Sequence, residues 1–459
     1  MRRLLSILVI ALAFCDAWAC TAVIVSGKAT TDGRPFIFKN RDATPDNALL
    51  TLKGSKYQYV GVADYTSSSN PSNIWYGHNE AGFAILNTLS YYFNSPTSSS
   101  NSSAGVLMKK ALGQCATVEE FENLLTEILA LNTYTLSTNF AVMDSLGNVA
   151  FYETNNTSFT KFDANDETVA PKGYLVRTNY SFSSPYYETT SHVGEERYKA
   201  ACKYIDDTFG DGRSDGGKID AVKLVHELPR YLYHGQRKVN LWDYIPNSIN
   251  DVQHTYFKNF IPRHSSCSAS LMQGVREGEP AANTVSWIAI GWPCGSFTVP
   301  ILLTPSLTLP ETVKRTPDTH KSEMCSGSLE LKDKVFTIYH DGKQSTDSID
   351  LSKLINMQET GILQRVMLAD ATVSELGVEL LDDVRAGTAD DNEIAAYYNW
   401  VDEYWRLFIQ EANTPTAISA INADVDNDDA YYSIDGIRYE HKPSKPGIYI
   451  YKHHKVIIR

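Results

Sequence analysis

The chain lacks an excess of positive charge, and this limits the partners that it can bind. Its 459 residues include 41 Lys or Arg and 54 Asp or Glu, which gives a formal net charge of −13 at pH 7. Because like charges repel, such a chain is poorly suited to the phosphates of nucleic acids and to anionic membrane surfaces. The composition therefore argues against a nucleic-acid-binding protein and against one that needs an anionic membrane.

Apolar runs long enough to cross a membrane are also lacking. Residues 4–14 form an apolar stretch, but a membrane-spanning helix needs ~20 such residues, and no later segment reaches about 18. Arg2 and Arg3 precede this stretch, and Ala-Trp-Ala follows it at 17–19, as is typical of a secretory signal peptide. We therefore expect removal of residues 1–19 and export to the periplasm, the cell surface or the extracellular space, with no transmembrane segment.

Cysteines are few, and their spacing matches neither a metal site nor a disulfide framework. Seven are present, and six remain after residue 19: Cys20, Cys115, Cys202, Cys267, Cys294 and Cys325. An exported protein can form disulfides, and Cys267 with Cys294 is the first pair to test. The alternative is that most of the five cysteines other than Cys20 are buried free thiols.

Strand-like and helix-like segments come in separate runs. Strands are predicted at 20–25, 36–42, 75–87, 173–178, 284–290, 297–303 and 327–340, with a hairpin at 140–153. Helices are predicted at 104–112, 117–130, 194–207, 219–232 and over most of 351–405. Because the two kinds do not alternate strictly, the pattern favours an α+β sandwich over a doubly wound parallel sheet.

Processing after residue 19 would make Cys20 the first residue of the mature chain. A cysteine thiol has a pKa of ~8.5 and an α-amine one of ~7.7–8.0, so an N-terminal cysteine carries its own base. An amine still bonded to a preceding residue cannot take the thiol proton. His78 is the nearest histidine in sequence and a weaker alternative base. A lipidated cysteine on a non-catalytic surface protein or binding module is a rival explanation.

The segment after Cys20 resembles a known family. Residues 38–42, Phe-Lys-Asn-Arg-Asp, are similar to the Arg-Asn-x-Asp segment of the linear-amide hydrolases among the N-terminal nucleophile enzymes. That group contains choloylglycine (bile salt) hydrolases, penicillin V acylases and relatives of acyl-coenzyme A:6-aminopenicillanate acyltransferase. The resemblance gives Asp42 the family's role of supporting the cysteine and its amine. The family's Arg falls on Lys39, a departure, and Arg41 on the same strand face is a further candidate.

Three later segments extend the resemblance, and residues 266–304, which are similar to closing sheet strands of related secreted dipeptidases, bring it to about residues 20–304. Residues 79–87 resemble a family stretch that ends in an oxyanion-hole asparagine, which implies this role for Asn87. Residues 175–181 resemble a second such stretch and imply that Asn179 donates its side-chain N–H to the oxyanion, which is worth roughly 2.7–4 kcal/mol in the transition state. Residues 196–200 give Arg197 the task of stabilising charge near the cysteine, whereas Asn139 is expected to be structural.

The resemblance implies the fold and the reaction. The expected fold is the four-layer αββα sandwich of N-terminal nucleophile hydrolases, with Cys20 at the edge of a central strand. The expected reaction is hydrolysis of a linear amide C–N bond in a small-molecule or peptide substrate, with no metal or organic cofactor. A dipeptidase and an acyltransferase of the same fold share the nucleophile and stay open, as do the acyl group and the oligomeric state.

The C-terminal tail resembles a different kind of module. Residues 431–459 are similar to the short sorting domains of Bacteroidota that are associated with type IX secretion, although Lys-His-His at 452–454 replaces the usual Asn-Gly-Lys turn. A terminal β hairpin packed on the enzyme is the alternative. We therefore divide the chain into four parts: a signal peptide (1–19), an amidase domain with a helical extension from about 351 (20–385), a helical segment and linker (386–425), and a C-terminal β unit (426–459).

Overall fold

The computed structural model describes residues 20–66, 68–97, 100–210 and 217–413. It also describes short segments of the C-terminal unit, at 431–433, 438–439, 441–443, 447–451 and 454–458. The expected signal peptide lies outside the described residues. None of the described helices is both long enough and apolar enough to span a membrane.

The first large sheet contains the segment that follows Cys20. It has six antiparallel strands in the order β10-β1-β2-β14-β15-β16. Their bounds are β1 (Thr21–Val25), β2 (Phe36–Asp42), β10 (Tyr174–Arg177), β14 (Ser266–Gln273), β15 (Val285–Ile290) and β16 (Thr298–Leu302). Every residue of β1 and β2 is buried, because other layers cover both faces of this sheet.

The second large sheet is an antiparallel meander in which seven consecutive strands pair in chain order. They are β3 (Asn47–Lys53), β4 (Gln58–Asp64), β5 (Tyr76–Asn79), β6 (Ala84–Leu89), β7 (Thr138–Met143), β8 (Val149–Thr154) and β9 (Phe159–Asp163). The prediction of one strand over 75–87 was wrong, since β5 and β6 form a hairpin there. Its turn contains Gly82 at φ +81°, a conformation that favours glycine.

The two sheets pack face to face, and helices cover their outer faces. Strands β1 and β2 contact β6, β7 and β8 across the interface. The outer helices over the meander are α1 (Ala104–Gln114) and α2 (Val118–Leu131); those over the first sheet are α3 (Glu195–Phe209), α4 (Ala221–Glu227) and α7 (Ile362–Ala386). This is an αββα sandwich, and it confirms the predicted fold class.

Helix α2 illustrates why an amphipathic segment covers a sheet. Thr117 caps its N-terminus by accepting a hydrogen bond from the Glu120 backbone N–H. The buried side chain of Phe121 contacts Phe140 and Tyr152 of the meander edge-on, with ring centroids 5.7 and 5.4 Å apart. Burial of such aromatic rings is a large hydrophobic contribution to sheet–helix packing.

The remaining elements lie after β10. They are the helices α5 (Glu323–Val335), α6 (Leu351–Leu354) and α8 (Asp391–Asn413), and the paired short strands β11 (Tyr233–His234) with β12 (Val239–Asn240), β13 (His254–Tyr256) with β19 (Ser348–Asp350), and β17 (Tyr339–His340) with β18 (Lys343–Gln344). The prediction of two strands at 327–340 was wrong over most of its length. Helix α5 occupies that stretch because Ser322 caps it and Met324, Leu331 and Val335 are buried on one side.

The C-terminal unit contains a small separate sheet. Four antiparallel strands pair in the order β21-β20-β22-β23, with bounds β20 (Tyr431–Ser433), β21 (Arg438–Tyr439), β22 (Gly447–Tyr451) and β23 (His454–Ile458). The segment Lys-His-His at 452–454 lies partly outside the described residues. The division of the chain into four parts and the sorting role of this tail stay predictions.

All six cysteines after residue 19 are free thiols. The suggested disulfide between Cys267 and Cys294 is therefore not formed. Cys267 has a different partner, because its sulfur lies 3.4 Å from Nη1 of the Arg41 guanidinium. Burial raises the pKa of the Cys294 thiol to about 12, which keeps this thiol protonated and unreactive.

Candidate active site

Cys20 lies immediately before β1, at the end of a central strand of the first sheet. It is buried, with 7% of its surface exposed. Its backbone nitrogen donates a hydrogen bond of 2.9 Å to Oδ1 of Asn179. Asn179 follows the neighbouring strand β10, and the pairing of β1 with β10 places the two residues side by side.

The side-chain amide of Asn179 has a fixed orientation. Its Oδ1 accepts hydrogen bonds from Cys20 N and from Nη2 of Arg197, at 2.9 and 2.8 Å, while its Nδ2 donates to Leu89 O at 2.9 Å. Because both neighbours of Oδ1 are donors, exchange of O and N would place donor against donor. The resemblance implied that the N–H of Asn179 faces the reacting atoms, but in the structure the amide oxygen faces Cys20.

Asn139 of β7 holds the loop that carries Asn179. Its Nδ2 donates to Thr88 Oγ1 at 3.0 Å and to Tyr180 O at 3.2 Å. Its Oδ1 accepts a hydrogen bond of 2.6 Å from the Ser181 hydroxyl. A buried amide with all these partners fixes the backbone on both sides of residue 179. This agrees with the expectation that Asn139 is structural.

Arg197 joins the first turn of α3 to the start of β1. Its Nη1 donates to Cys20 O at 2.5 Å and to Thr21 Oγ1 at 3.1 Å. The preceding Gly194 has φ +86°, and a Cβ there would lie 2.2 Å from Nη2 of Arg197, so this turn favours glycine. Burial and nearby Arg263 lower the pKa of the Arg197 guanidinium to about 10, while Asp42 and Cys20 oppose this shift. The group stays cationic at neutral pH.

Asp42 ends β2 and belongs to the same charge cluster, but without a direct bond to the nucleophile. Among the described residues, its partners are Ser266 Oγ at 2.6 Å, Arg263 Nε at 3.0 Å and Asn40 Nδ2 at 3.2 Å, and Cys20 is not one of them. Burial raises the pKa of the Asp42 carboxyl, and the charges of Arg263 and Arg197 oppose that rise. Asp42 therefore has a charge interaction with Arg197 and no hydrogen bond to Cys20 in the described residues.

Lys39 and Asn87 meet in the interface between the two sheets. The Lys39 ammonium, 1% exposed, donates to Asn87 Oδ1 at 3.0 Å and to Trp75 O at 3.3 Å. Asn87 Nδ2 in turn donates to Thr138 Oγ1 at 3.1 Å. Burial lowers the pKa of Lys39 to about 8, although attraction to Cys20 partly offsets that effect.

Arg41 points to the same face of β2 as Lys39, as the alternation of a strand requires. Its guanidinium bonds Asp64 Oδ1 at 2.6 Å and lies 5.2 Å from the ring centroid of Trp75. Trp75 Nε1 donates to the other oxygen of Asp64 at 2.7 Å. Burial lowers the pKa of Arg41, but Cys267 and Asp64 raise it more, so the net shift is upward.

His78 has a different setting. It is 1% exposed on β5, and its Nδ1 forms a hydrogen bond of 2.6 Å with Ser286 Oγ of β15. Burial lowers the pKa of its ring to about 3, so the ring is neutral at ordinary pH. These contacts bind β5 to the facing sheet and do not place His78 beside Cys20.

Three cations therefore act on the same thiol. Lys39, Arg41 and Arg197 each have an attractive charge interaction with the Cys20 thiolate. In the part of the chain that the structure describes, no group of three or more His, Cys, Asp or Glu side chains is placed to hold a metal ion.

Sequence reasoning missed the residues that orient these groups. Arg263 and Ser266 fix Asp42, and Asp64 and Trp75 fix Arg41. They lie 23 to 224 residues away in the chain from the side chain that they hold. In the sequence, these residues differ from others only as polar or aromatic residues beside strand-like runs. That feature does not indicate which side chain each of them contacts.

Comparisons with known proteins agree with part of this description. A family model described as acyl-coenzyme A:6-aminopenicillanic acid acyl-transferase matches residues 29–207. This range includes Lys39, Asp42, Asn87, Asn179 and Arg197, but it covers less than half of the chain and begins after Cys20. No functionally curated protein matches the chain.

The chain is also similar to several solved structures. A mutant conjugated bile acid hydrolase from Clostridium perfringens has 11% identity and a TM-score of 0.36, over 59% of this chain and 89% of the other. Penicillin V acylase from Agrobacterium tumefaciens has 13% identity and a TM-score of 0.35, over 63% and 88%. An orthologue of N-acylethanolamine-hydrolyzing acid amidase from Caenorhabditis elegans has 13% and 0.30, over 41% and 79%. TM-scores this low carry no argument about function.

Proposed function

We propose that the protein is an exported cysteine amidase that hydrolyses linear amide C–N bonds through Cys20, after residues 1–19 have been removed. One observation carries the proposal. The nitrogen of Cys20 donates a hydrogen bond of 2.9 Å to Asn179 Oδ1, and the Arg197 guanidinium donates to the same Oδ1 and to Cys20 O. A buried cysteine whose nitrogen has a fixed position meets one requirement of a self-activating N-terminal nucleophile once it is the first residue of the chain.

The proposed reaction proceeds in two stages. The α-amine of Cys20 accepts the thiol proton, and the thiolate sulfur attacks the amide carbonyl carbon to form a tetrahedral oxyanion. The α-ammonium, which can donate to Asn179 Oδ1, returns its proton to the leaving nitrogen as the C–N bond breaks. In the second stage, water attacks the thioester and loses a proton to the amine. The products of this stage are a carboxylic acid and the free Cys20 thiol.

The oxyanion donors belong to the proposal as well. The resemblance assigns the oxyanion to the amide groups of Asn87 and Asn179. In the present geometry, Nδ2 of each already makes one hydrogen bond, to Thr138 Oγ1 and to Leu89 O. An amide NH₂ group has two N–H donors, so a role of either asparagine in binding the oxyanion requires its second hydrogen.

For the substrate we propose an N-acyl amide, a conjugated bile salt or a penicillin V-like amide. The support is the family model and the resemblance of the motifs. The test is a hydrolysis panel with protein that begins at Cys20, using these three classes and dipeptides, and Cys20→Ala as the control. Release of the amine from one class by the wild type but not by Cys20→Ala identifies the substrate; equal rates for both proteins would exclude Cys20 as the nucleophile.

An acyltransferase is the second candidate, because the matching family model is described as an acyl-transferase. In that case an amine, not water, attacks the thioester and takes the acyl group. Adding 6-aminopenicillanic acid to the panel reactions distinguishes the two. A new N-acylated product detected by mass spectrometry supports transfer, and carboxylic acid alone supports hydrolysis.

Export and sorting are proposals that rest on the two ends of the chain. The mass of the mature N-terminus tests the first end: a free cysteine supports the amidase, whereas a diacylglyceryl adduct supports a surface lipoprotein. Deletion of residues 426–459 tests the second end. We expect the truncated protein to retain amidase activity and to lose its normal cellular location if the tail is a type IX sorting domain of a Bacteroidota protein.

A further inference from the structure

A serine, a histidine and an aspartate meet between α4 and α7, on the outer side of the first sheet. His226 lies in the last turn of α4, and Asp370 and Ser374 lie one turn apart on α7. The Ser374 hydroxyl is hydrogen-bonded to Nε2 of His226, and Nδ1 of the same ring lies 3.2 Å from Oδ2 of Asp370. A hydroxyl, a base and a carboxylate that faces the base are the parts of a serine nucleophile site.

Asp370 is held in a fixed position. It is fully buried, and it accepts hydrogen bonds from the backbone N and the Oγ1 of Thr298 at 2.6 and 3.0 Å. Nη2 of Arg230 lies 2.7 Å from its Oδ2. Burial raises the pKa of Asp370, but the charges of His226 and Arg230 lower it more, so the group is a carboxylate at neutral pH. It therefore presents an acceptor oxygen to the imidazole.

This carboxylate determines which nitrogen of His226 carries the proton. An acceptor that faces Nδ1 favours the tautomer with hydrogen on Nδ1, and Nε2 then accepts the hydrogen bond of the Ser374 hydroxyl. Burial lowers the pKa of the His226 ring, the charge of Asp370 opposes this shift, and the charge of Arg230 adds to it. The ring is therefore neutral at pH 7 and can take a proton from Ser374.

The hydroxyl and the imidazole both line a cavity of about 790 Å³ beside α4 and α7. Cavities of ~300–1,000 Å³ are typical of small-molecule sites. Of the described residues that line this cavity, none is a hydrogen-bond partner of Cys20, since Asn179 and Arg197 are not among them. The cavity is therefore a separate place for a ligand.

An unpaired donor lies in the wall of the same cavity. Trp287 of β15 is fully buried, and its indole Nε1 has no hydrogen-bond partner among the described residues. The neighbouring Ser286 bonds His78 of the facing sheet, so strand alternation directs Trp287 to the outer side, where α4 and α7 lie. A buried N–H without an acceptor is unfavourable, and a ligand oxygen in the cavity would supply one.

The wall of the cavity indicates the class of ligand. Val222, Val378 and Leu381 give it an apolar surface, which suits an apolar acyl group. Six Asp or Glu residues but only three Lys or Arg residues line it, and this excess of negative charge disfavours an anion. Together with the unpaired indole N–H, these features favour an uncharged molecule that has an apolar group and a carbonyl oxygen.

We propose that Ser374, His226 and Asp370 form a second nucleophilic site, which hydrolyses uncharged carboxylic esters independently of Cys20. Nε2 of His226 takes the Ser374 proton as Oγ attacks the ester carbonyl carbon, and Trp287 Nε1 donates to the oxyanion. The proton then passes to the leaving alcohol oxygen as the bond between this oxygen and the acyl carbon breaks. Water attacks the acyl-serine and gives a proton to His226, which returns it to Oγ as the carboxylic acid leaves. An ester is favoured over an amide because an alcohol leaves an acyl carbon more readily than an amine.

The first experiment detects the nucleophile with a fluorophosphonate, whose phosphorus bonds an activated serine oxygen as fluoride leaves. The mature chain with Cys20→Ala is labelled, and the modified peptide is identified by mass spectrometry. We expect the label on Ser374 and its loss in Ser374→Ala. His226→Gln keeps a polar side chain without a base, so labelling should be at least about 100-fold slower. The control is Ser326→Ala on α5, which removes a hydroxyl that donates to a backbone oxygen and should not change labelling.

The second experiment measures hydrolysis of 4-nitrophenyl butyrate, an uncharged ester, by the same Cys20→Ala protein. Ser374→Ala and His226→Gln should each lower kcat at least about 100-fold. Trp287→Phe keeps an aromatic ring but removes the donor, and it should lower kcat by ~10²–10³ with little change in KM. The anionic ester mono-4-nitrophenyl succinate should have a higher KM than the butyrate. Thermal midpoints identify variants that fail to fold.

Each outcome decides one part of the inference. Absence of label on Ser374 in the folded protein, or undiminished labelling of folded His226→Gln, overturns the nucleophilic site and makes the cluster a structural contact between α4 and α7. Label on Ser374 without turnover of the butyrate supports the nucleophile and overturns esters as its substrates. An unchanged kcat in folded Trp287→Phe overturns the oxyanion donor, and an equal or lower KM for the succinate overturns the preference for uncharged esters. Because every protein compared lacks the Cys20 thiol, none of these outcomes depends on the proposed amidase.

Discussion

Retaining residues in front of Cys20 tests the role of its α-amine as the base. In such a protein the nitrogen of Cys20 is an amide, which can donate a hydrogen bond but cannot accept a proton. The structure describes this nitrogen as a donor to Asn179 Oδ1 at 2.9 Å in a chain that still contains residue 19. The contact is therefore available before processing. We expect the extended protein to fold, with a thermal midpoint within a few degrees of that of the mature form.

The expected loss of activity follows from the absence of a substitute base. A positioned general base contributes typically ~10²–10⁴-fold to a rate. His78 is bonded to Ser286 and does not lie beside Cys20, and Lys39, with a pKa of about 8, is mainly protonated at pH 7. We therefore expect kcat/KM of the extended protein to be at least about 100-fold lower at pH 7, the lower end of that range.

The assay uses an extension that can be removed. The protein is purified with an N-terminal tag and a cleavage site for a protease that cuts directly before Cys20. Hydrolysis of a responsive amide is measured before and after cleavage, and intact mass confirms each form. Cleavage should restore activity without refolding. Full activity of the intact extended protein would refute the reasoning, because the base would then lie elsewhere.

Three further predictions concern single side chains. Cys20→Ala should abolish amide hydrolysis while circular dichroism shows that the fold is retained. Cys20→Ser should retain little activity, since an amine is a weak base for an alcohol. Turnover by folded Cys20→Ala would contradict the assignment of Cys20 as the nucleophile. Asn179→Ala should lower kcat by ~10²–10³ with little change in KM, because the lost hydrogen bond acts in the transition state. The same substitution should lower the free energy of unfolding by about 1–3 kcal/mol, because two buried donors lose their acceptor. An unchanged kcat would make Asn179 structural only. Burial alone would raise the pKa of Glu279, but hydrogen bonds from Arg34 and Arg276 lower it to about 2. The ionised carboxylate therefore stabilises the fold above the unfolded pKa near 4.5, and this stabilisation is lost as the pH falls towards 2. Glu279→Gln should lower the free energy of unfolding by about 1.5–3 kcal/mol at pH 7, and a difference from wild type that does not shrink between pH 5 and 3 in urea titrations would contradict this prediction.

Much of the fold could be predicted from local patterns. The β-branched run after Cys20 became β1 because a short continuous apolar run suits a strand that is buried on both faces. The stretch after Thr117 became α2 because its apolar residues recur at helical spacing and form one buried face. Local patterns failed where the same residue types suit two elements. The apolar residues at 327–340 favour strands in the sequence. In the structure, residues 323–335 form a helix because Ser322 caps its N-terminus and its apolar side chains are buried along one side.

The candidate site shows the same division. Motif order identified Asn87, Asn179 and Arg197 as candidates, and the structure places Asn179 and Arg197 in contact with Cys20. It places Asn87 on Lys39 instead. Which end of an amide faces the nucleophile depends on donors from distant segments, and no local pattern contains that information.

The sequence by itself determined which residues are candidates for the site, since a strand fixes which residues alternate on one face and the order of the motifs singles out two asparagines and an arginine. Only the tertiary structure decided how they act. The position of Lys39 opposite Ala22 comes from the register of β1 against β2, and the orientation of Asn179 comes from Arg197, which lies 18 residues further along the chain. Register and amide orientation are set by burial and by hydrogen bonds between segments far apart in the chain, because an unpaired polar group in a dry interior costs more free energy than local preferences can supply.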